Sequence, residues 1–198
     1  MENSNEESGY ASMYKERPYT HGMYLRVSYN LLHGHNLVIG DFCKIADNVV
    51  VGNDVQIGDY TKIEERVDIG DGTKIGDYVK IPPGSKVGKN CIIGSYVRLG
   101  ANCVIKDGVT IKCHAVISPD VEVGENSFIG PNAILLHATP DGKHKPTRVG
   151  ANSFIGTGVY VNPGCRVGSR IVVGSGSVVV KSLEEEGVYV GSPAKKVR

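Results

Sequence analysis

A six-residue period runs through almost the whole chain and constrains its fold more than any other feature. Position one of each hexad is aliphatic from residue 27 to residue 135, with His33 as the exception, and resumes at Val149, Ile155, Val161, Val167, Val173 and Val179. Across 25 hexads, 24 have an aliphatic there, 15 have Gly at position two, and 21 have Ala, Cys, Ser, Thr or Val at position five. A helix repeats its apolar face every 3.6 residues and a half-buried strand every two, so neither produces this record. A short strand that ends in a turn every six residues does. The recurrent Gly suits a corner that needs either unusual dihedrals or close packing. The large residue at position one and the small one at position five can share a narrow core.

Cysteine usage follows the same period. Cys43, Cys91, Cys103 and Cys165 all fall on position five, as small core-filling hydrophobes, whereas Cys113 falls on position three and should point outward. Five is also an odd number for a disulfide framework, and no CxxC pair is present. Charge excludes other classes: 22 Lys and Arg against 21 Asp and Glu give a formal charge of +1, which leaves no global field to hold nucleic acid or an acidic membrane. The longest apolar run, Ala133 to Leu136, is far too short for a membrane span or a signal peptide. The expectation is a soluble, cytoplasmic protein with one main domain.

The pattern resembles that of the hexapeptide-repeat proteins, written [LIV]-G-x-x-[STAVC]-x. The resemblance covers nearly everything from residue 27 onward. It implies an all-β fold, a left-handed parallel β-helix of triangular section with three hexads to a coil, and hence about eight coils. On this reading residues 1–26 form an N-terminal arm or cap containing Met13 and Tyr10, Tyr14, Tyr19 and Tyr24, because a solenoid core needs covered ends. Residues 27–184 form the β-helix, with a loop at 136–148, and residues 185–198 form a C-terminal tail.

The loop is where the period breaks. Between Leu135 and Val149 the text reads LLHATPDGKHKPTR, whose Pro140, Asp141-Gly142 and Pro146 are turn signals. Two of the six His, His137 and His144, lie here, and loops on a rigid scaffold are where functional residues concentrate. The phrase FIGPNAILLHATPDGK is similar to a segment of the nucleotide-sugar N-acetyltransferases of the hexapeptide class. That likeness implies His137 as the catalytic base. The maltose and galactoside O-acetyltransferases place their His about three residues later, where this chain has Pro140. An amine or hydroxyl that attacks a thioester must shed a proton, and an imidazole with its ordinary pKa near ~6.5 is poised to accept it. Either Asp141 or Asp120 could orient the ring. Backbone N–H groups at coil corners could meet the developing oxyanion.

The stretch from Asn152 to the C-terminus resembles the coenzyme A-binding end of the maltose, galactoside and streptogramin acetyltransferases. Carried across, the contacts to acetyl-CoA fall on Thr157, Ser175, Val180, Lys181, Lys195 and Arg198. Small residues on successive coils would make a groove for a thin pantetheine arm, and the basic tail would meet its phosphates. A second ladder, Phe42, Tyr60, Tyr78, Tyr96, His114 and Asn132, repeats every third hexad and should stack along one edge. His114 and Asn132 end it near the loop and are candidates, with Asp141 and His144, for binding the acceptor.

These features together imply an acetyl-CoA-dependent acetyltransferase acting on a small-molecule acceptor, a nucleotide-linked amino sugar, with O-acetylation of a sugar as the alternative. The family also implies a homotrimer with sites between neighbouring prisms. Two readings of other classes compete. A γ-carbonic-anhydrase-like metalloprotein would need three converging His, but Ala101 and Gly142 stand where that pattern requires them, so no metal ligand is assigned. A noncatalytic β-helix scaffold would leave the loop and the basic tail without a purpose.

Overall fold

A computed structural model describes residues 19–198, so Tyr10, Met13 and Tyr14 of the expected arm lie outside the described residues. Every element among the described residues is a short strand. No helix there is long and apolar enough to cross a membrane. The strands build three sheets of eleven, nine and eight strands, which take every third strand in turn until the last coil. We name them by their first strands: face 1 begins at Thr20–His21, face 2 at Arg26–Val27 and face 3 at Leu32–His33. The chain winds about nine turns of a left-handed parallel β-helix.

Each hexad position has a distinct physical duty. Position-one residues such as Ile39, Ile81, Ile117 and Val161 are fully buried, as are small position-five residues such as Val49, Cys91 and Ala115. Position five is also a donor site. Thr61 Oγ1 donates to the Gly76 carbonyl (2.9 Å), Thr73 to Gly88 (2.8 Å), Ser127 to Gly150 (2.8 Å) and Ser153 to Gly168 (2.8 Å). Cys43, Cys91 and Cys103 direct their thiols at carbonyls in the same way. The preference for Ser, Thr and Cys therefore reflects more than size: these small donors satisfy corner carbonyls of the next coil, and no buried side-chain polar atom among the described residues lacks a partner.

The structure divides the two roles left open for glycine. Position-two Gly serves close packing: an added Cβ at Gly58 would sit 2.7 Å from the Gly76 carbonyl carbon, and one at Gly100 would sit 2.1 Å from Pro119 N. The unusual dihedrals fall instead on position four, where seventeen non-glycine residues, mostly Asn, Asp and aromatics, have φ between +53° and +63°. Asn and Asp tolerate this region, but a bulky ring does not ordinarily enter it. Here the rings gain neighbours on both sides. Tyr24, Phe42, Tyr60, Tyr78, Tyr96 and His114 stack with centroids 4.7–4.9 Å apart and planes within 13°.

Both ends of the β-helix depart from the expected boundaries. Thr20–His21 already pairs in parallel with Val38–Ile39, so the first strand lies inside the segment read as an arm. The reason is that His21 stands one hexad before Val27 and keeps its phase, although it is not aliphatic. His33, the other exception, is buried, with Nδ1 2.8 Å from the Gly34 carbonyl oxygen and the Tyr19 ring edge-on at 5.2 Å. At the other end, Gly187–Val190 adds to face 1 beside Ile171–Val173, and Lys195–Lys196 folds back on it antiparallel. Part of the expected tail therefore continues the sheet.

Candidate functional site

The break in the period is an excursion from the corner between faces 2 and 3. Ile134–Leu135 on face 2 is followed by Arg148–Val149 on face 3, so one corner holds eight residues more than a hexad would supply. The excursion is a small antiparallel hairpin: Ala138 bridges His144, Thr139 N donates to the Lys143 carbonyl (3.0 Å), and Gly142 takes φ +77° at the tip. Its root is tied down by Thr147, whose Oγ1 donates to the Leu136 carbonyl at 2.8 Å. His137 and His144 face each other across this hairpin, rings edge-on with centroids 5.5 Å apart.

The two candidate carboxylates separate clearly. Asp120, one coil upstream of the hairpin at the same corner, lies 3.1 Å from His144 Nε2 through Oδ2. Asp141 turns to its own strand end, where Lys143 Nζ lies at 2.7 Å and the Thr139 hydroxyl donates to it. The hydrogen bond from Lys143, seconded by Thr139, holds the Asp141 carboxyl below its ordinary range. The hairpin thus places a carboxylate, an imidazole and a second imidazole in sequence: Asp120, His144, His137. His137 is half-buried at the root and His144 is exposed.

The remaining candidates divide between the two corners that border face 2 and the terminal hairpin of face 1. His114 and Asn132 stand at position four of the corner between faces 1 and 2, with Thr157 and Ser175 at position three of the same corner, further along. Thr157 N donates to Ser175 Oγ at 3.2 Å, the same rung that Asp77 N makes with Ser95 Oγ (3.1 Å). Beyond Asn132, position four of this corner carries no side chain. Gly158 and Gly176 take φ +63° and +69°, and an added Cβ at either would meet nothing within 4 Å. The exposed stretch from Asn132 to Gly176 is therefore cut back by a full side chain over successive coils, room enough for a thin arm. Val180 and Lys181 follow face 2 on its other edge and are exposed, and Lys195 and Arg198 are exposed on the terminal hairpin.

Within one chain, then, the structure joins His137 with His144 and joins His114 with Asn132, Thr157 and Ser175, but face 2 lies between the two groups. A groove of about 560 Å³ lies elsewhere, on face 3 between Lys106, Glu122, Arg148 and Arg166. None of the candidate residues lines it.

The model of the bacterial transferase hexapeptide family matches residues 36–67, 66–101, 102–137 and 146–181, well over half of the chain. Among curated relatives, a Schizosaccharomyces pombe protein provisionally named acetyltransferase C18B11.09c is 37% identical over 38% of this chain and 42% of its own length. The galactoside O-acetyltransferase of Escherichia coli K12 is 31% identical over the same shares, 38% and 42%. The chain thus spans about two fifths of the length of these relatives. Among solved structures, PerB from Caulobacter crescentus, determined with CoA and GDP-perosamine, is 28% identical with a TM-score of 0.57, over 63% of this chain and 56% of that one. A UDP-N-acetylglucosamine acyltransferase of Francisella novicida shares the fold at a TM-score of 0.62 and 20% identity, over 88% of this chain and 68% of that one. With the repeat, the three-faced helix and the matched segments in agreement, the chain belongs to the bacterial transferase hexapeptide family.

Proposed function

We propose that this protein is an acetyl-CoA-dependent acetyltransferase that N-acetylates a nucleotide-linked amino sugar in the cytoplasm. The observation that carries this reading is the hairpin that breaks the repeat. It presents two facing imidazoles with a carboxylate behind them, at the hexad position where the resemblance puts a base. The likeness to PerB, which was determined with CoA and an amino sugar on a nucleotide, supports the choice of acceptor.

In this reading His137 accepts the proton that the attacking nitrogen sheds as its bond to the acetyl carbonyl forms, and the thiolate of CoA leaves as the thioester bond breaks. His144, held by Asp120, packs its ring against His137 and limits the orientations His137 can adopt. The emptied corner at Thr157, Gly158, Ser175 and Gly176 would take the pantetheine arm, and Lys181, Lys195 and Arg198 would face its phosphates. Because face 2 separates this corner from His137 in one chain, the complete site lies between neighbouring copies of a homotrimer.

The test is CoA release from acetyl-CoA with the purified protein and a panel of nucleotide amino sugars. Rapid release with at least one of them, accompanied by an N-acetyl product in the mass spectrum, is expected. Release only with sugars that carry hydroxyl acceptors would favour O-acetylation, the reading that the galactoside O-acetyltransferase likeness supports. No release with either class would overturn the enzymatic reading.

A further inference from the structure

A basic column runs along the first five coils with an acidic one beside it on three of them, and most of their members form no ion pair among the described residues. On the outside of face 2, Arg26, Lys44, Lys62, Lys80 and Arg98 stand one above the other, each in register with the next. Glu64 reaches two of them, with Lys62 Nζ at 2.5 Å and Lys80 Nζ at 3.6 Å. Arg26, Lys44 and Arg98 form no ion pair among the described residues. Like charges on adjacent strands repel, so such a column lowers the stability of an isolated chain.

The second column is acidic and lies on the corner between faces 1 and 2. Asp41, Asp59 and Asp77 occupy position three of three successive coils. Each spends one carboxylate oxygen on the backbone N–H of the coil below, at 2.6, 2.7 and 2.9 Å for Met23, Asp41 and Asp59 respectively. None of the three forms an ion pair among the described residues. The stacked rings of Phe42, Tyr60, Tyr78 and Tyr96 flank them, 43–48% exposed.

We propose that these columns are the two halves of one interface, in which the acidic, ring-bearing corner of one copy packs on face 2 of the next. This rests on the trimer invoked above and assigns its seam. Three observations favour a second copy as the occupant. Parallel prisms of the same chain have the same rise per coil, so Asp41, Asp59 and Asp77 of one copy meet Lys44, Lys62 and Lys80 of the other at matching heights. From the coil of Cys113 and Val116 onward neither column is charged: face 2 changes from Arg98 to Val116, Ile134 and Tyr160, while the corner, already neutral at Ser95, continues with Cys113, Pro131 and Thr157. Finally, in a triangular prism an edge and the normal of an adjoining face point about 60° apart, which is the angle that closes a three-membered ring of heterologous contacts. The arrangement carries the corner with His114, Asn132, Thr157 and Ser175 of one copy onto the face of the next whose far edge bears His137.

Sedimentation analysis of the full chain tests the seam. The wild type is expected at three times the 21.2 kDa chain mass. The triple variant Lys44→Glu, Lys62→Glu, Lys80→Glu should sediment as single chains at the same concentration, with its β-sheet circular dichroism retained. Adding Asp41→Asn, Asp59→Asn and Asp77→Asn, which keeps the oxygen that accepts each backbone N–H, removes the new repulsion and should restore part of the assembly. A monomeric wild type would overturn the trimer and the seam together. A wild type and a Lys→Glu triple variant that both remain trimeric would overturn the seam alone. If the triple variant dissociates but the Asn substitutions restore nothing, face 2 is an interface whose partner surface is not this corner, and the proposal also fails.

Discussion

The two corners that border face 2 are built from the same hexad and have opposite characters. On the corner with face 1, the turn repeats coil after coil with a ring at position four, and six rings stack without interruption from Tyr24 to His114. On the corner with face 3, one turn is replaced by a hairpin whose side chains meet in a sequence found nowhere else on the described chain: Asp120, His144, His137. A repeated corner satisfies its groups with copies of itself, so its side chains have structural partners on both sides. A corner that occurs once has no such copies above and below, and its polar groups are left to face one another.

Experiments that break one corner should leave the signature of the other intact. The largest expected effect is on the hairpin: His137→Ala should lower turnover by ~10²–10⁴-fold, the usual loss for a general base, while the melting temperature stays near that of the wild type. His137 occupies no position-one or position-five slot. If that variant keeps its activity while His144→Ala loses it, the base is the imidazole that Asp120 holds, and the contrast between the corners survives with the roles exchanged.

A smaller effect is expected from the terminal strand pair. Lys195→Ala with Arg198→Ala should raise the KM for acetyl-CoA by ~10-fold or more, since a charge-assisted contact contributes ~1.5–3 kcal/mol, with kcat nearly unchanged. An unaltered KM would detach the basic tail from the cofactor.

The ordered corner can be attacked from inside. Thr61 lies beneath the rings, donating to the Gly76 carbonyl at 2.9 Å and accepting from Val79 N at 3.2 Å. Thr61→Val conserves volume but strands both groups, so it should cost about 1–3 kcal/mol in chemical denaturation and leave kcat alone. A neutral result would mean that the side-chain ladder contributes nothing beyond its shape.

The smallest effect is chemical labelling. Cys113, exposed at position three in the single chain, should be the one thiol that reacts in the folded, dissociated Lys44→Glu, Lys62→Glu, Lys80→Glu variant. Burial raises the thiols of Cys43, Cys91 and Cys165, and pushes that of Cys103 up to about 11, so these four stay protonated and shielded until the chain unfolds. Modification of more than one thiol per chain, read by mass spectrometry under native conditions, would show that the coils open locally.

Much of this was legible in the residues alone because each coil poses the same packing problem to the next. The four core cysteines, the ring ladder and the interruption at Leu135 were all visible as positions in a period. Two things were visible but unread. Counting hexads in threes would have put His114 and Asn132 on a different corner from His137, and reading every third hexad would have shown the column Arg26, Lys44, Lys62, Lys80 and Arg98.

The sequence by itself determined the coil, because a six-residue register of aliphatic, glycine and small donor residues can be satisfied only by strands that meet identical strands above and below. It also determined where the coil must break. What position two needs glycine for, which carboxylate meets which imidazole, and how face 2 divides the candidate site were decided by the tertiary structure. Those outcomes depend on distances across coils and around a hairpin that lies outside the repeat, and a period carries no information about a segment that does not repeat.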